Sequence, residues 1–278
     1  MIVVVRALNA LLTGLFDLLF APFRSVGPIW PLLAISLVTG ILMLWIFGKT
    51  SRQESIHEVR NKIRGNLIGV RLFGDDIRML FRLQWRILRG TLVYIRYAFF
   101  PMLVMLIPVV LILAQLNLRF DVSPLQPGEQ AVVKVKLRDA SPMRTPVSLE
   151  APEGVVVETP GVRVESLNEV SWRIRAKEPG RHRLQVKTER DSLEKELYVG
   201  GRWGKVSPAR TADVVDLLLF YPGEPPIDAS RQIESIEVTY SDLSIGRLFG
   251  IQPHWLVVFF FASILFGFAF RRVLGVEI

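Results

Sequence analysis

The sequence holds no cysteine and only three histidines in 278 residues. Without cysteine there is no disulfide framework and no thiolate metal site. His57, His182 and His254 fall in segments that the topology keeps on three different sides, so they cannot converge on a metal. There is no Asn-x-Ser/Thr acceptor, no nucleophile elbow, no phosphate-binding loop and no pair of metal ligands at i, i+4. Gly200-Gly-Arg-Trp-Gly is glycine-rich, but it follows a β-type segment and lacks the Lys-Ser/Thr of a phosphate loop, so it reads as a plain loop. A non-enzymatic protein is expected, with no metal and no cofactor.

Net positive charge is scarce outside one segment. The formal net charge is +8, and between Gly48 and Tyr97 eleven Lys/Arg stand against four Asp/Glu, a balance of +7. The basic pI therefore comes from one stretch of chain and does not point to nucleic acid.

Apolar residues are abundant, at 50% of the chain. Three uncharged runs, Gly27–Phe47, Tyr97–Asn117 and Ile251–Phe270, are long enough to supply the roughly 20 helical residues that cross a bilayer core. The basic segment between the first two is expected in the cytoplasm, and Arg271 and Arg272 after the third agree with that side. The expected organisation is an amphipathic interfacial helix over 1–24, a transmembrane helix over 27–48, a basic helical hairpin over 49–96, and a second span over 97–117. An outer β domain over 118–250, a third span over 251–270 and a cytoplasmic tail over 271–278 follow. This implies a multi-pass protein of a bacterial inner membrane, N-terminus outside and C-terminus in the cytoplasm.

Residues 1–24 lack a basic stretch ahead of their apolar part and a small-x-small cleavage site, unlike a signal peptide. Arg6, Asn9, Thr13 and Asp17 recur at helical spacing as a narrow polar stripe. A helix lying in the outer interface fits this pattern; a tight transmembrane hairpin is the alternative.

In the basic segment, Ile56, Val59, Ile63 and Leu67 mark one helix, and Gly74-Asp75-Asp76 marks a turn and helix start. A second helix carries Ile77, Phe81, Trp85 and Leu88 on one stripe and Arg78, Arg82, Arg86 and Arg89 on another. The two helices are expected to bury their apolar stripes together, leaving the arginines to solvent or anionic lipid. Residues 118–250 are nearly neutral and alternate apolar with polar side chains between Pro-Gly turns. About seven short strands there predict an immunoglobulin-like sandwich, with a short helix at Thr211–Tyr221 and a further strand at Ile233–Tyr240.

Polar residues in and near the spans are the candidate site: Ser36, Thr39, Arg96, Tyr97, Gln115 and Ser263. At membrane depth such groups face protein or a watery cavity, although Ser and Thr also serve as ordinary helix-packing residues. Pro101 and Pro108 each remove a helical hydrogen bond and are expected to bend the second span, opening a groove toward the cytoplasm.

An amphipathic helix (Leu8–Phe23), a first core span (Gly27–Phe47), a helical hairpin (Ser51–Tyr97) and Phe100-Pro-Met-Leu-Val-Met-Leu-Ile-Pro108 follow in order. This succession resembles the YidC/Oxa/Alb membrane-insertase superfamily over roughly residues 1–117 and 251–272. Three core spans are similar to its reduced members, the archaeal YidC-like proteins and the insertase subunit of the ER membrane complex. The bacterial relatives carry a positive residue in the first span, where this chain has Ser36-Leu-Val-Thr-Gly-Ile-Leu-Met-Leu. Thr39 lies near the equivalent place, which leaves Arg96 or the hairpin to supply charge. The reduced members also have a short connection where this chain has its β domain. The resemblance implies an insertase or membrane chaperone whose partners are nascent or short-tailed membrane proteins and a ribosome. The alternative is a membrane-anchored module whose β domain binds a periplasmic partner.

Overall fold

The computed structural model describes residues 2–23, 25–51, 53–72, 76–138, 141–247 and 250–276. Its helices and strands fall into two compact units, residues 1–32 with 111–255, and residues 33–110 with 256–278.

Six α-helices occur among the described residues: α1 (Ile2–Phe20), α2 (Ile29–Thr50), α3 (Gln53–Leu72), α4 (Ile77–Phe120), α5 (Val214–Leu219) and α6 (Trp255–Phe270). Two of them, α2 with 22 residues and α4 with 44, are long and apolar enough to cross a membrane. The predicted hairpin helix and second span are one unbroken helix in which Pro101 and Pro108 are internal. Asp76 starts it, its carboxylate accepting from the backbone N–H of Arg78 at 3.0 Å and of Met79 at 3.1 Å. An N-cap satisfies donors that a first turn otherwise leaves open. The expected turn at Gly74-Asp75 lies outside the described residues. The third apolar run is helical only from Trp255, giving 16 residues and about 24 Å of helix. Pro253 explains the late start, since it cannot donate to a ladder and biases its neighbour toward extended backbone.

The hairpin packs differently from its expected form. Ile77, Phe81 and Trp85 are more than two-thirds exposed, and Leu88 is also exposed. The buried residue is Leu83, on a second seam with Leu80, Ile87 and Gly90. A Cβ added at Gly90 would come within 2.9 Å of Ile63 on α3. The slimmer seam admits α3 closely, whereas the bulky stripe would hold it off. On α3, Leu67 is exposed as well, and the side chain of Ile56 lies outside the described residues.

In the same unit α2 and α6 touch backbone to backbone. A Cβ on Gly40 would lie 2.5 Å from the carbonyl oxygen of Ser263 and 3.1 Å from the N of Gly267. Small residues let apolar helices approach in this way. Gly40→Val should therefore cost about 1–3 kcal/mol through overpacking, read as a lower unfolding midpoint in detergent. An unchanged midpoint would contradict the contact.

The other unit contains nine strands among the described residues, β1 (Gln130–Leu137), β2 (Ser148–Glu150), β3 (Val155–Val157), β4 (Val162–Val164), β5 (Glu169–Ala176), β6 (Gly180–Lys187), β7 (Ser192–Val199), β8 (Ala209–Thr211) and β9 (Ile233–Val238). One antiparallel sheet runs β3-β5-β1-β9-β8 with β4 also on β5; the other runs β2-β6-β7. The inward residues of both, among them Val133, Val135, Trp172, Ile174, Leu184, Val186 and Leu197, form one apolar core. This is the β sandwich that alternation predicts, and β2, β3 and β8 are the short additions. Short helix α5 is capped by Asp213, which accepts from the N–H groups of Val215 and Asp216.

Candidate functional site

The unit of residues 33–110 and 256–278 holds an apolar cavity of about 370 Å³, formed by side chains of α2, α4 and α6. Met43, Leu44, Phe47, Met105, Val109, Phe259, Phe260 and Phe268 supply most of its wall, and Thr39 and Ser263 also line it. The hydroxyls of Thr39 and Ser263 are buried and have no hydrogen-bond partner among the described residues. An unpartnered hydroxyl in apolar surroundings costs roughly 1–3 kcal/mol, so both are available to an entering polar group.

The remaining groove candidates go elsewhere. Ser36 is fully buried and does not line the cavity. Arg96 is exposed and Tyr97 half-buried, and neither reaches the cavity wall. Gln115 belongs to the other unit. The expected hydrophilic groove is thus an apolar pocket with two hydroxyls, because the long side chains sit on other faces of α4. Pro101 is buried and Pro108 half-buried.

The exposed stripe on α4 is longer than the sequence reading proposed. Phe81, Trp85, Leu88, Leu92, Ile95, Phe99, Met102 and Leu106 are all exposed, and their spacing alternates four and three. That repeat keeps one seam along a helix. Arg78, Arg82, Arg86 and Arg89 are exposed, and ideal helical geometry sets them beside this seam.

The unit of residues 1–32 and 111–255 has its own charged site, which the sequence reading missed. The polar stripe of α1 faces protein: Asn9 and Thr13 are buried, while Leu11, Leu15 and Leu18 are exposed. The side chain of Arg6 lies outside the described residues. Arg119, 3% exposed, is ion-paired with Asp17. It also donates to the side-chain oxygen of Gln115 at 2.9 Å, to the Gln115 carbonyl at 3.0 Å and to the Thr13 carbonyl at 3.2 Å. Its guanidinium carbon lies 5.7 Å from the ring centres of both Phe16 and Phe20. Phe120 stacks on Trp203 at 5.7 Å, and Phe20 meets both edge-on. The Gly200-Gly201 turn presents Trp203, with both glycines at positive φ, where a Cβ is unfavourable.

Deeper in the sandwich, Lys195 is completely buried and ion-paired with Glu224, and its ammonium donates to the Ser207 carbonyl at 2.6 Å. Burial pushes the Lys195 ammonium below the ordinary lysine value, with Glu224 opposing. Among the described residues no group of three His, Asp or Glu side chains comes together that could hold a metal ion.

No family model matches the chain, and no curated protein matches it. Two solved structures show similarity. Domains 4 and 5 of the S-layer protein SbsC match at 15% identity over 28% of this chain and 47% of that one, with a TM-score of 0.23. The S-layer protein rSbsC(31-844) matches at 13% identity over 44% and 20%, with a TM-score of 0.24. The chain thus covers less than half the length of either, and likeness at that level assigns it no function.

Proposed function

We propose that this chain is a YidC-like insertase or chaperone for membrane proteins, with three membrane spans and the α3–α4 hairpin in the cytoplasm. The observation that carries this reading is the uncovered apolar seam of α4, which runs from the arginine-bearing segment into the apolar one. A hydrophobic segment leaving a ribosome needs such a surface, because exposed apolar area costs about 25 cal/mol per Å² in water. The neighbouring arginines attract acidic flanks and repel basic ones, which favours clients with acidic tails. The cavity of α2, α4 and α6 offers apolar contact at membrane depth, and the Thr39 and Ser263 hydroxyls can bond a peptide group on its way across. Such a group left unbonded in hydrocarbon costs several kcal/mol. The absence of an arginine in the first span suits mostly apolar clients with short polar tails.

The triple variant Phe81→Asp, Trp85→Asp, Leu88→Asp tests the seam. Exposed positions change stability by about 0.5 kcal/mol or less. Insertion of a short-tailed membrane protein into vesicles should fall at least about tenfold, since three large apolar contacts are lost. Undiminished insertion by a folded variant would end this reading. Selective loss of an outer binding partner would favour the anchored-module alternative.

A further inference from the structure

The cavity beside Arg119 has a composition that neither the insertase reading nor the sandwich core requires. It measures about 340 Å³ and is lined by Asp17, Phe20, Arg119, Arg181, Tyr198, Trp203, Gly204 and Lys205. Three cations thus face one carboxylate, and that carboxylate is already bound to Arg119. The Arg181 guanidinium lies 4.8 Å from the centre of the Tyr198 ring and donates to its hydroxyl. Lys205 is half-buried and has no hydrogen-bond or ion-pair partner among the described residues. Burial, with Arg119 and Arg181 close by, pushes its ammonium below the ordinary lysine value, while Asp17 and Glu196 oppose this. Like charges gathered in a partly desolvated cavity repel strongly and are stabilised by an anion that accepts several hydrogen bonds at once.

The surroundings narrow the anion. Asp17 and Phe20 line the cavity, while Leu11, Leu15 and Leu18 on the same helix are exposed. Phe20, Phe120 and Trp203 form an aromatic cluster of the kind that sits at head-group level. A cationic pocket edged by an aromatic cluster matches a ligand with a charged head and an apolar tail.

We infer that the cavity formed by Arg119, Arg181 and Lys205 binds the phosphate of an anionic lipid head group in the outer leaflet. This rests on the reading that residues 97–117 cross the membrane. It differs from lipid contact by the hairpin arginines, which lie in the other unit.

The test uses the full chain in nanodiscs of phosphatidylcholine with and without phosphatidylglycerol, with retained lipid counted by native mass spectrometry. Wild type should retain phosphatidylglycerol preferentially, and Lys205→Gln and Arg181→Gln should each lower retention about fivefold, the loss of one cation near a lipid surface. Arg163→Gln, an exposed arginine of the sandwich that does not line the cavity, should leave it unchanged, and circular dichroism checks that each variant is folded. Displacement of the lipid by millimolar inorganic phosphate would identify a soluble phosphate as the source and overturn the lipid assignment; resistance supports it. Equal retention by wild type and both folded variants would overturn the site. A chain that never enters the discs would instead refute the membrane reading.

Discussion

Glu224→Ala should destabilise the β sandwich by about 3–5 kcal/mol, because it strands a buried ammonium without its counter-charge. Lys195 is 0% exposed and Glu224 is buried with it. Beyond the ion pair, the second oxygen of Glu224 accepts from the backbone N–H of Glu196 at 3.2 Å, so the loss also unsatisfies the strand. For a domain of this size the midpoint should fall by roughly 10–20 °C. The double variant Lys195→Met, Glu224→Leu removes both charges and should recover most of the loss. The defect should also depend on pH. A lysine held below its ordinary value binds its proton less tightly folded than unfolded, so stability rises with pH from that depressed value up to the ordinary 10.5. Removing Glu224 lowers the folded value further and widens the window, so the variant should regain stability as pH rises toward the ordinary lysine value. Denaturant unfolding at several pH values measures this. A deficit that grows as pH rises would contradict it.

Asp17→Ala should cost more than Arg119→Met, although each breaks the same ion pair. Arg119 is 3% exposed and Asp17 is 43% exposed. Loss of Asp17 leaves a buried guanidinium with only neutral acceptors, about 3 kcal/mol. Loss of Arg119 leaves a carboxylate that water can reach, and methionine keeps most of the packing against Phe16 and Phe20, so about 1–2 kcal/mol is expected. Unfolding midpoints in detergent give the order, and a double-mutant cycle gives the coupling. Equal losses would mean that the pair is as solvated as a surface salt bridge.

Much of this architecture was legible in the sequence. Period-two alternation located β1, β4, β5, β6, β7 and β9, and Pro-Gly turns lay between them, because a half-buried strand imposes that pattern locally. Strands β2, β3 and β8 have three residues each and, unlike the equally short β4, no alternating run around them. The composition of α4 changes near Tyr97 while the helix runs on, since helix continuity depends on backbone bonds and tolerates Pro101 and Pro108. Two apolar seams on α4 were compressed into one. The bulkier dominates the apolar pattern, whereas close approach selects the slimmer.

The candidate site was only partly legible. Thr39 and Ser263 meet in one cavity; Ser36, Arg96, Tyr97 and Gln115 do not join them, since polarity along a helix gives depth but not facing direction. Lys195 could have been found, because it occupies the inward phase of the alternation Leu193, Lys195, Leu197, Val199. Arg119 gave a weaker signal, an isolated cation at the end of the uncharged run 97–118, with Asp17 the acid in the polar stripe of α1. Lys205 and Arg181 share a cavity through long-range folding alone, and no local pattern announces that.

Site-specific photo-crosslinking during synthesis of a short-tailed membrane protein tests the insertase reading most directly. Probes at Trp85 on the α4 seam, at Thr39 in the apolar cavity and at Arg163 on the sandwich would be compared in membranes. The reading predicts that nascent chains are trapped first at Trp85, then at Thr39, and not at Arg163. Crosslinks confined to Arg163, with none at Trp85 or Thr39, would contradict it.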